Sequence, residues 1–178
     1  SRRARADRSR KDILMAITFD AVTGGSFDDP AVTTISINHT VAGDNRVVFL
    51  VLYIGNTATN PAATISGTPM TAGPSIGDDN TIKTFYFIAP ATTPSLNYAA
   101  TWDTASRGVA YIISFAGVRQ TSPIRGSVNG GATVTNPSLS VTTVADDMVF
   151  DTFADGTNNS PTVGAGQTVR VSPLFLTN

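Results

Sequence analysis

The sequence predicts an all-β fold: a two-sheet antiparallel β-sandwich of the jelly-roll type, preceded by an extended N-terminal arm. The 178 residues include no glutamate and few lysines, leucines or methionines, the residue types that favour helices. β-Branched residues, 15 glycines and 10 prolines are prominent instead, and they favour strands and turns. Short apolar segments recur about every 8–15 residues, a spacing typical of a sandwich.

The first half of the chain contains five predicted strands. Apolar and polar residues alternate over residues 17–21, and the turn-forming sequence GGSFDDP then interrupts the pattern. They alternate again over residues 35–41, ahead of a predicted turn at residues 42–45. Residues 47–54 are apolar at every position, which predicts a central strand buried on both faces. Shorter strands are predicted at residues 63–66 and 81–88.

The second half of the chain continues the series. Residues 96–102 alternate, and residues 109–116 form a second segment that is apolar on both faces. Three further strands are predicted at residues 139–141, 148–153 and 168–171. The sequence therefore predicts about ten strands in one domain, residues 15–178, with residues 1–14 as the arm.

Two stretches resemble the jelly-roll modules of phage virion proteins and bacterial surface proteins. The stretch INHTVAGDNRVVFLVLYIG is similar to their strand–turn–strand opening, and YIISFAGVRQTSPIRGSV carries an F-x-G-V-x-Q-T-x-P signature. Between them, GTPMT and FYFIAP follow in the same order. The resemblance covers residues 31–155, and it implies a structural or adhesive module rather than an enzyme.

The end of the sequence departs from that resemblance. Similar modules continue for another strand or two beyond residues 166–169, whereas this sequence stops at SPLFLTN. The alternatives are a rearranged set of strands, a shortened sequence, or a sandwich with an open edge. An open edge is a liability unless it is covered, and a neighbouring subunit is expected to cover it by strand addition.

No catalytic residue is predicted. His39 is the only histidine, it lies in phase with the apolar residues of its strand, and no G-x-S-x-G nucleophile motif accompanies it. We therefore expect a structural or interface role for His39. Glycoside hydrolysis needs two facing carboxylates, but the acidic pairs lie in predicted turns, where aspartate caps backbone donors. These pairs are Asp28-Asp29, Asp78-Asp79 and Asp146-Asp147.

The sequence contains two kinds of candidate ligand site, one for calcium and one for glycans. The loops at residues 77–80 and 155–159 offer oxygen ligands for a structural calcium ion, although solvated turns are the simpler interpretation and no other cofactor is expected. The absence of cysteine excludes disulfides and thiolate-bound metals. Trp102 and Tyr98 are candidates for a glycan platform or an interface, with core packing as the default for aromatic residues at alternating strand positions.

Basic charge is concentrated in the arm. Residues 1–14 contain six basic residues and two aspartates, a net charge of +4, whereas residues 15–178 contain six basic residues and eleven aspartates, a net charge of −5. An acidic body repels nucleic acid, so a protein partner is favoured over a nucleic acid, including the body of a neighbouring copy. No apolar segment is long enough to span a membrane. The predicted partner-binding residues are Arg2, Arg3, Arg5, Arg8, Arg10 and Lys11.

The first functional hypothesis is a non-catalytic virion structural protein. It is a capsid-decoration or fibre-type protein, or a coat subunit, that forms homo-oligomers or docks through its arm on a capsid lattice protein. The alternative is a carbohydrate-binding or adhesive module at the cell surface or outside the cell. Met15 leaves open a third view of the arm, in which translation begins at that residue and the arm is a remnant.

Overall fold

The computed structural model describes residues 16–55, 58–76, 80–92, 95–130, 138–153 and 164–171. The regular structure of these residues consists of seven β-strands that form one antiparallel sheet, so the predicted all-β class is confirmed. The strands are β1 (Thr18–His39), β2 (Val47–Gly55), β3 (Ala62–Ile65), β4 (Thr68–Pro69), β5 (Thr71–Ile76), β6 (Asn80–Ile88) and β7 (Leu96–Ala116).

Two long strands, β1 and β7, pair over both of their ends, and the break between these paired regions divides the sheet into two half-sheets. In the first half-sheet, residues 18–27 of β1 pair with residues 108–116 of β7, which are followed by β2, β6 and β5. In the second, residues 34–39 of β1 pair with residues 96–101 of β7, which are followed by β3 and β4. The register shifts between Phe27 and Thr34, and such irregularities let a strand bend from one layer into the next.

Both long strands differ from the sequence prediction. GGSFDDP was expected to end a strand, but β1 continues through it with register shifts on either side of Val32. Likewise, the segments predicted at residues 96–102 and 109–116 belong to the single strand β7. Glycine and aspartate favour turns locally, yet here a continuous partner strand supplies backbone hydrogen bonds that keep the chain extended.

The two half-sheets enclose a shared inner core. Side chains alternate along β2, so Leu50 and Leu52 point inward, where they are 1% and 0% exposed. Ala63 and Ile65 of β3 belong to the same cluster, and so does Tyr98 of β7. Because these residues come from both half-sheets, the inner core connects the two half-sheets.

The first half-sheet is also buried on its other side, which we call the outer face. Its buried side chains include Val47, Phe49 and Val51 of β2 and Phe115 of β7. The predicted strand at residues 47–54, apolar on both faces, is therefore confirmed, since one set of its side chains fills the inner core and the other the outer face. The outer face is covered by chain that follows β7, including Phe150.

Three residues of the stretch F-x-G-V-x-Q-T-x-P form a corner at the end of β7. Gly117 adopts a φ of 74°, and its N–H donates to the Asp44 carbonyl oxygen at 2.9 Å. The Val118 N–H donates to the Asn45 carbonyl oxygen at 2.7 Å, and the Gln120 amide donates to the Arg46 carbonyl oxygen at 3.2 Å. The motif thus fastens the end of β7 to the turn between β1 and β2.

The last three predicted strands are wrong for the residues that the structure describes. Residues 139–141, 148–153 and 168–171 have no strand assignment. Residues 138–153, which we call the strap, instead run across the outer face, where Phe150 packs on side chains of the sheet. Alternation alone does not make a strand, because a ladder also needs a free edge alongside it.

Candidate functional site

A buried polar network surrounds His39, the only histidine in the sequence. His39 is 2% exposed, and its ring nitrogens contact two hydroxyl groups. Nδ1 lies 2.8 Å from Thr23 Oγ1, and Nε2 lies 3.0 Å from Ser114 Oγ. Ser114 Oγ in turn donates to Asp20 Oδ2 at 2.8 Å. The network connects residues of both half-sheets.

The hydrogen bonds define the neutral tautomer of His39. Ser114 Oγ donates its single hydroxyl proton to Asp20 Oδ2, so it must accept the proton of His39 Nε2. Nδ1 is then the acceptor, and Thr23 Oγ1 donates to it. Burial lowers the pKa of His39 from its usual value of 6.5, and the charge of Asp20 raises it by a smaller amount. His39 is therefore neutral near pH 7.

A β-bulge brings Asp20 into this network. Phe19 pairs with Phe115 and Ala21 with Ser114, so Asp20 has no partner residue across the ladder. A bulge redirects the side chain of its extra residue, and here the carboxylate accepts from the Ala42 N–H at 2.9 Å as well as from Ser114. The sequence signal for this arrangement is weak, because a bulge leaves no local signature.

The network contains serine, histidine and aspartate but does not have the geometry of a catalytic triad. In a triad the carboxylate holds His Nδ1, whereas here Asp20 holds the serine and Thr23 holds Nδ1. Ser114 is fully buried, so its hydroxyl cannot meet a substrate in this conformation. The arrangement supports a structural role for His39, in which its hydrogen bonds connect residues of the two half-sheets.

Trp102 and Tyr98 lie in the inner core. Tyr98 is 0% exposed and Trp102 is 4% exposed, so neither ring offers a face for a sugar to stack on. Trp102 packs against Phe27 with a centroid separation of 5.3 Å, and burial raises the pKa of Tyr98 to about 12. Core packing, the default expectation for these two residues, accounts for their position.

The outer face presents an aromatic cluster on which the strap is anchored. The Phe150 ring lies 4.6 Å from that of Phe49 and 5.6 Å from that of Phe115, both centroid to centroid. Arg170, further along the chain, places its guanidinium 4.4 Å from the centroid of Phe19, within the range of a cation–π contact. Phe150 is thus the main apolar anchor among the described strap residues.

Most other large apolar residues of the strap face solvent. Leu139, Val149 and Phe153 are 57%, 57% and 55% exposed, and Val144 and Met148 are 51% and 40% exposed. A soluble monomer rarely leaves so many large apolar side chains exposed within one short segment. The strap is therefore the strongest candidate interaction surface in the described part of the chain. The sequence did not reveal this surface, because four of the five residues lie in segments that were predicted to be strands.

Among the described residues, no three histidine or aspartate side chains lie close enough together to hold a metal ion. Asp147 accepts from the Val144 N–H at 2.9 Å and forms an ion pair with Arg125 at 3.0 Å. Both contacts lower its pKa, the backbone bond most strongly. The predicted loops at residues 77–80 and 155–159 lie outside the residues whose side chains are described, as do the side chains of Asp28 and Asp29.

The basic arm also lies outside the described residues, including Arg2, Arg3, Arg5, Arg8, Arg10 and Lys11. In the described residues, no helix combines the length and apolar character that a membrane span requires. Comparison of the chain with protein-family models, with curated proteins and with solved structures finds no match. The functional argument therefore depends on the geometry of the sheet, the strap and the polar network.

Proposed function

We propose that this protein is a non-catalytic structural subunit of a virion, either a capsid-decoration or fibre-type protein or a coat subunit. It acts by binding other copies of itself or a capsid lattice protein. The observation that carries the proposal is the strap, which has five large exposed apolar side chains and is anchored on the outer face by Phe150. Binding through such a surface requires a partner of complementary shape and the burial of apolar side chains, without a catalytic step.

The energetics of the strap favour association. Fully burying one large apolar side chain contributes about 1.5–3 kcal/mol, so covering the exposed parts of five contributes on the order of 5 kcal/mol. That amount is useful to a subunit that meets many copies of the same partner, because repeated weak contacts add through multivalency. In an isolated subunit the same surface is an aggregation liability.

The position of the polar groups supports binding rather than catalysis. His39, the only histidine, is sealed with Ser114 inside the sandwich, and both its ring nitrogens are occupied. Trp102 and Tyr98, which a glycan-binding alternative would expose, are buried. These observations support a structural subunit over the adhesive alternative.

The fold proposed for this subunit is a jelly roll. Counting each long strand as two arms gives eight strands in two groups of four, with β5 added at the edge of the first. The first group runs β1, β7, β2, β6 and the second runs β1, β7, β3, β4. A jelly roll likewise distributes eight strands over two packed layers, with the chain passing repeatedly between them.

Variants of the strap test the proposed function. Val149→Ser combined with Phe153→Ser removes exposed apolar surface, and Thr142→Ser is the matched control because it keeps a polar side chain at an exposed position of the same segment. Sedimentation velocity should show a discrete oligomer for the wild type and for the control, and dissociation for the double variant. Unchanged assembly of a folded double variant would refute the role of the strap.

A further inference from the structure

The two ends of the sheet differ in how their free edges are protected. At one end, β4 and β5 are two and six residues long, contain Pro69 and Pro74, and have a register shift between Ala72 and Ser75. Short strands, prolines and bulges are the devices that prevent an edge from pairing with another chain. This end is therefore unsuited to strand addition.

At the other end, β1 has a long edge whose register shifts and single proline all lie before Thr34. It is 22 residues long, and among the described residues it pairs only with β7, so no described strand lies along its second edge. Residues 31–38 contain no charged side chain and no proline. Thr34, Ser36 and Asn38 are exposed along this stretch, while Ile35 and Ile37 face the inner core.

The exposed side chains of this stretch are held in place. Asn97 of the neighbouring strand donates from Nδ2 to Ser36 Oγ at 2.5 Å and to Asn38 Oδ1 at 3.1 Å. Thr34 donates from its hydroxyl to the Ala100 carbonyl oxygen at 3.1 Å. Because these side chains are hydrogen-bonded to β7, the edge is preorganised. Pairing with an incoming strand therefore costs little side-chain conformational entropy.

We propose that residues 34–38 of β1 pair, antiparallel and centred on Ser36, with the same residues of a second copy about a twofold axis. Because the stretch carries no charge, two copies meet without like-charge repulsion, whereas a charged peptide would find no counter-charge on it. Identical edges related by a twofold axis satisfy each other's backbone groups, as an isologous interface requires. The second half-sheet would then continue from one subunit into the next.

This inference rests on the proposed function, since it names a contact through which subunits associate, but it uses a different surface from the strap. The absence of cysteine makes a clean test available, because each single-cysteine variant has one reactive thiol. Thr34→Cys, Ser36→Cys and Asn38→Cys place that thiol along the β1 edge. Thr71→Cys is the control, an exposed position on the protected strand β5.

A short bismaleimide linker and non-reducing electrophoresis then measure covalent dimers. Residues facing each other across antiparallel strands have Cα atoms about 4.5–5.5 Å apart, so at least one β1 variant should cross-link about tenfold more than Thr71→Cys. Equal, background cross-linking at all four positions would overturn the pairing. If the protein assembles and the β1 variants do not cross-link, only this inference fails.

A charge swap tests whether the contact is self-pairing. Ser36→Lys should weaken dimerisation about tenfold, since like charges meet across the axis. Mixing Ser36→Lys with Ser36→Asp should restore a dimer containing one chain of each. If Ser36→Lys is folded and dimerises as well as the wild type, or if the mixture gives no mixed dimer, self-pairing is refuted.

Discussion

His39 Nε2 lies 3.0 Å from Ser114 Oγ, although the two residues are 75 positions apart in the sequence. His39 ends the arm of β1 in the second half-sheet, whereas Ser114 belongs to the arm of β7 in the first. The hydrogen bond therefore spans the two layers, and Asp20 extends it through its contact with Ser114 at 2.8 Å. The stability of the fold is thereby coupled to the protonation of one imidazole.

We predict that the protein loses stability as the pH falls below about 6.5. Burial lowers the pKa of folded His39, whereas the unfolded chain takes up the proton near the usual value of 6.5. The His39 contribution is therefore complete above 6.5 and is lost as the pH falls toward the folded-state pKa. Its slope is at most about 1.4 kcal/mol per pH unit.

Thermal unfolding between about pH 7.5 and pH 5 measures this dependence, in a range above the usual titration of carboxylates. His39→Gln, which cannot titrate, is the control and should give a flatter profile with a lower Tm near neutral pH. A wild-type profile as flat as that of the variant would contradict the prediction.

Ser114→Ala should destabilise the fold by about 1–3 kcal/mol, because it leaves buried His39 Nε2 without its acceptor and removes a donor to Asp20. Ser26→Ala is the control, since Ser26 is exposed on the same sheet. Chemical denaturation measures both variants. Equal midpoints for the two variants would show that the network contributes little to stability.

Gly108→Ala should destabilise the protein by about 1–3 kcal/mol, the usual cost of overpacking. A Cβ at this position would overlap the Tyr53 carbonyl oxygen and the Phe27 ring. Gly25→Ala is the matched control, because a Cβ there meets nothing within 4 Å. Denaturant midpoints should separate the two variants, and a Gly108→Ala protein as stable as Gly25→Ala would refute the close packing of β7 against β2.

Phe150→Ala should lower stability by about 2–4 kcal/mol, because its ring packs on Phe49 and Phe115 and anchors the strap. Phe153→Ala should leave the free energy of unfolding of the monomer unchanged, since Phe153 is 55% exposed. Hydrogen exchange of strap amides should accelerate in the first variant alone. The same stability loss in both variants would show that the strap is not anchored at Phe150.

Local sequence patterns predicted the strands in which each face has the same environment, buried or exposed, along its whole length. β2 and β6 were found because alternation or continuous apolarity directly reports the faces they bury. The strand β5 was not predicted, because Gly73 and Pro74 interrupt its sequence pattern. The strand β1 was predicted as two strands, because Gly24 and Gly25 favour a turn when considered alone. Both strands depend on neighbours that lie far away in the sequence.

Local sequence patterns could not predict the polar network around His39, for the same reason. The alternation of Ile35, Ile37 and His39 correctly placed the histidine on an inward face. Its partners depend on the register of β1 against β7 and on a bulge at Asp20, which no spacing rule reports. The apolar residues of the strap were recognised, but their exposure follows from the tertiary path of the chain.

Removal of residues 1–14 tests the arm separately from the strap. These residues carry a net charge of +4 against −5 for the remainder, so their loss should weaken association in a salt-dependent manner. The control is replacement of the six basic residues by glutamine in the full-length chain. Light scattering that shows the same assembly for all three proteins, at low and at high salt, would exclude a docking role for the arm.

The mass of the purified full-length protein in solution tests the central claim most directly. Multi-angle light scattering across a concentration series should give a discrete multiple of the 18.5 kDa chain, whose population rises with concentration. A protein that remains an 18.5 kDa monomer at every concentration, with its strap still exposed, would contradict its proposed function as an assembling structural subunit.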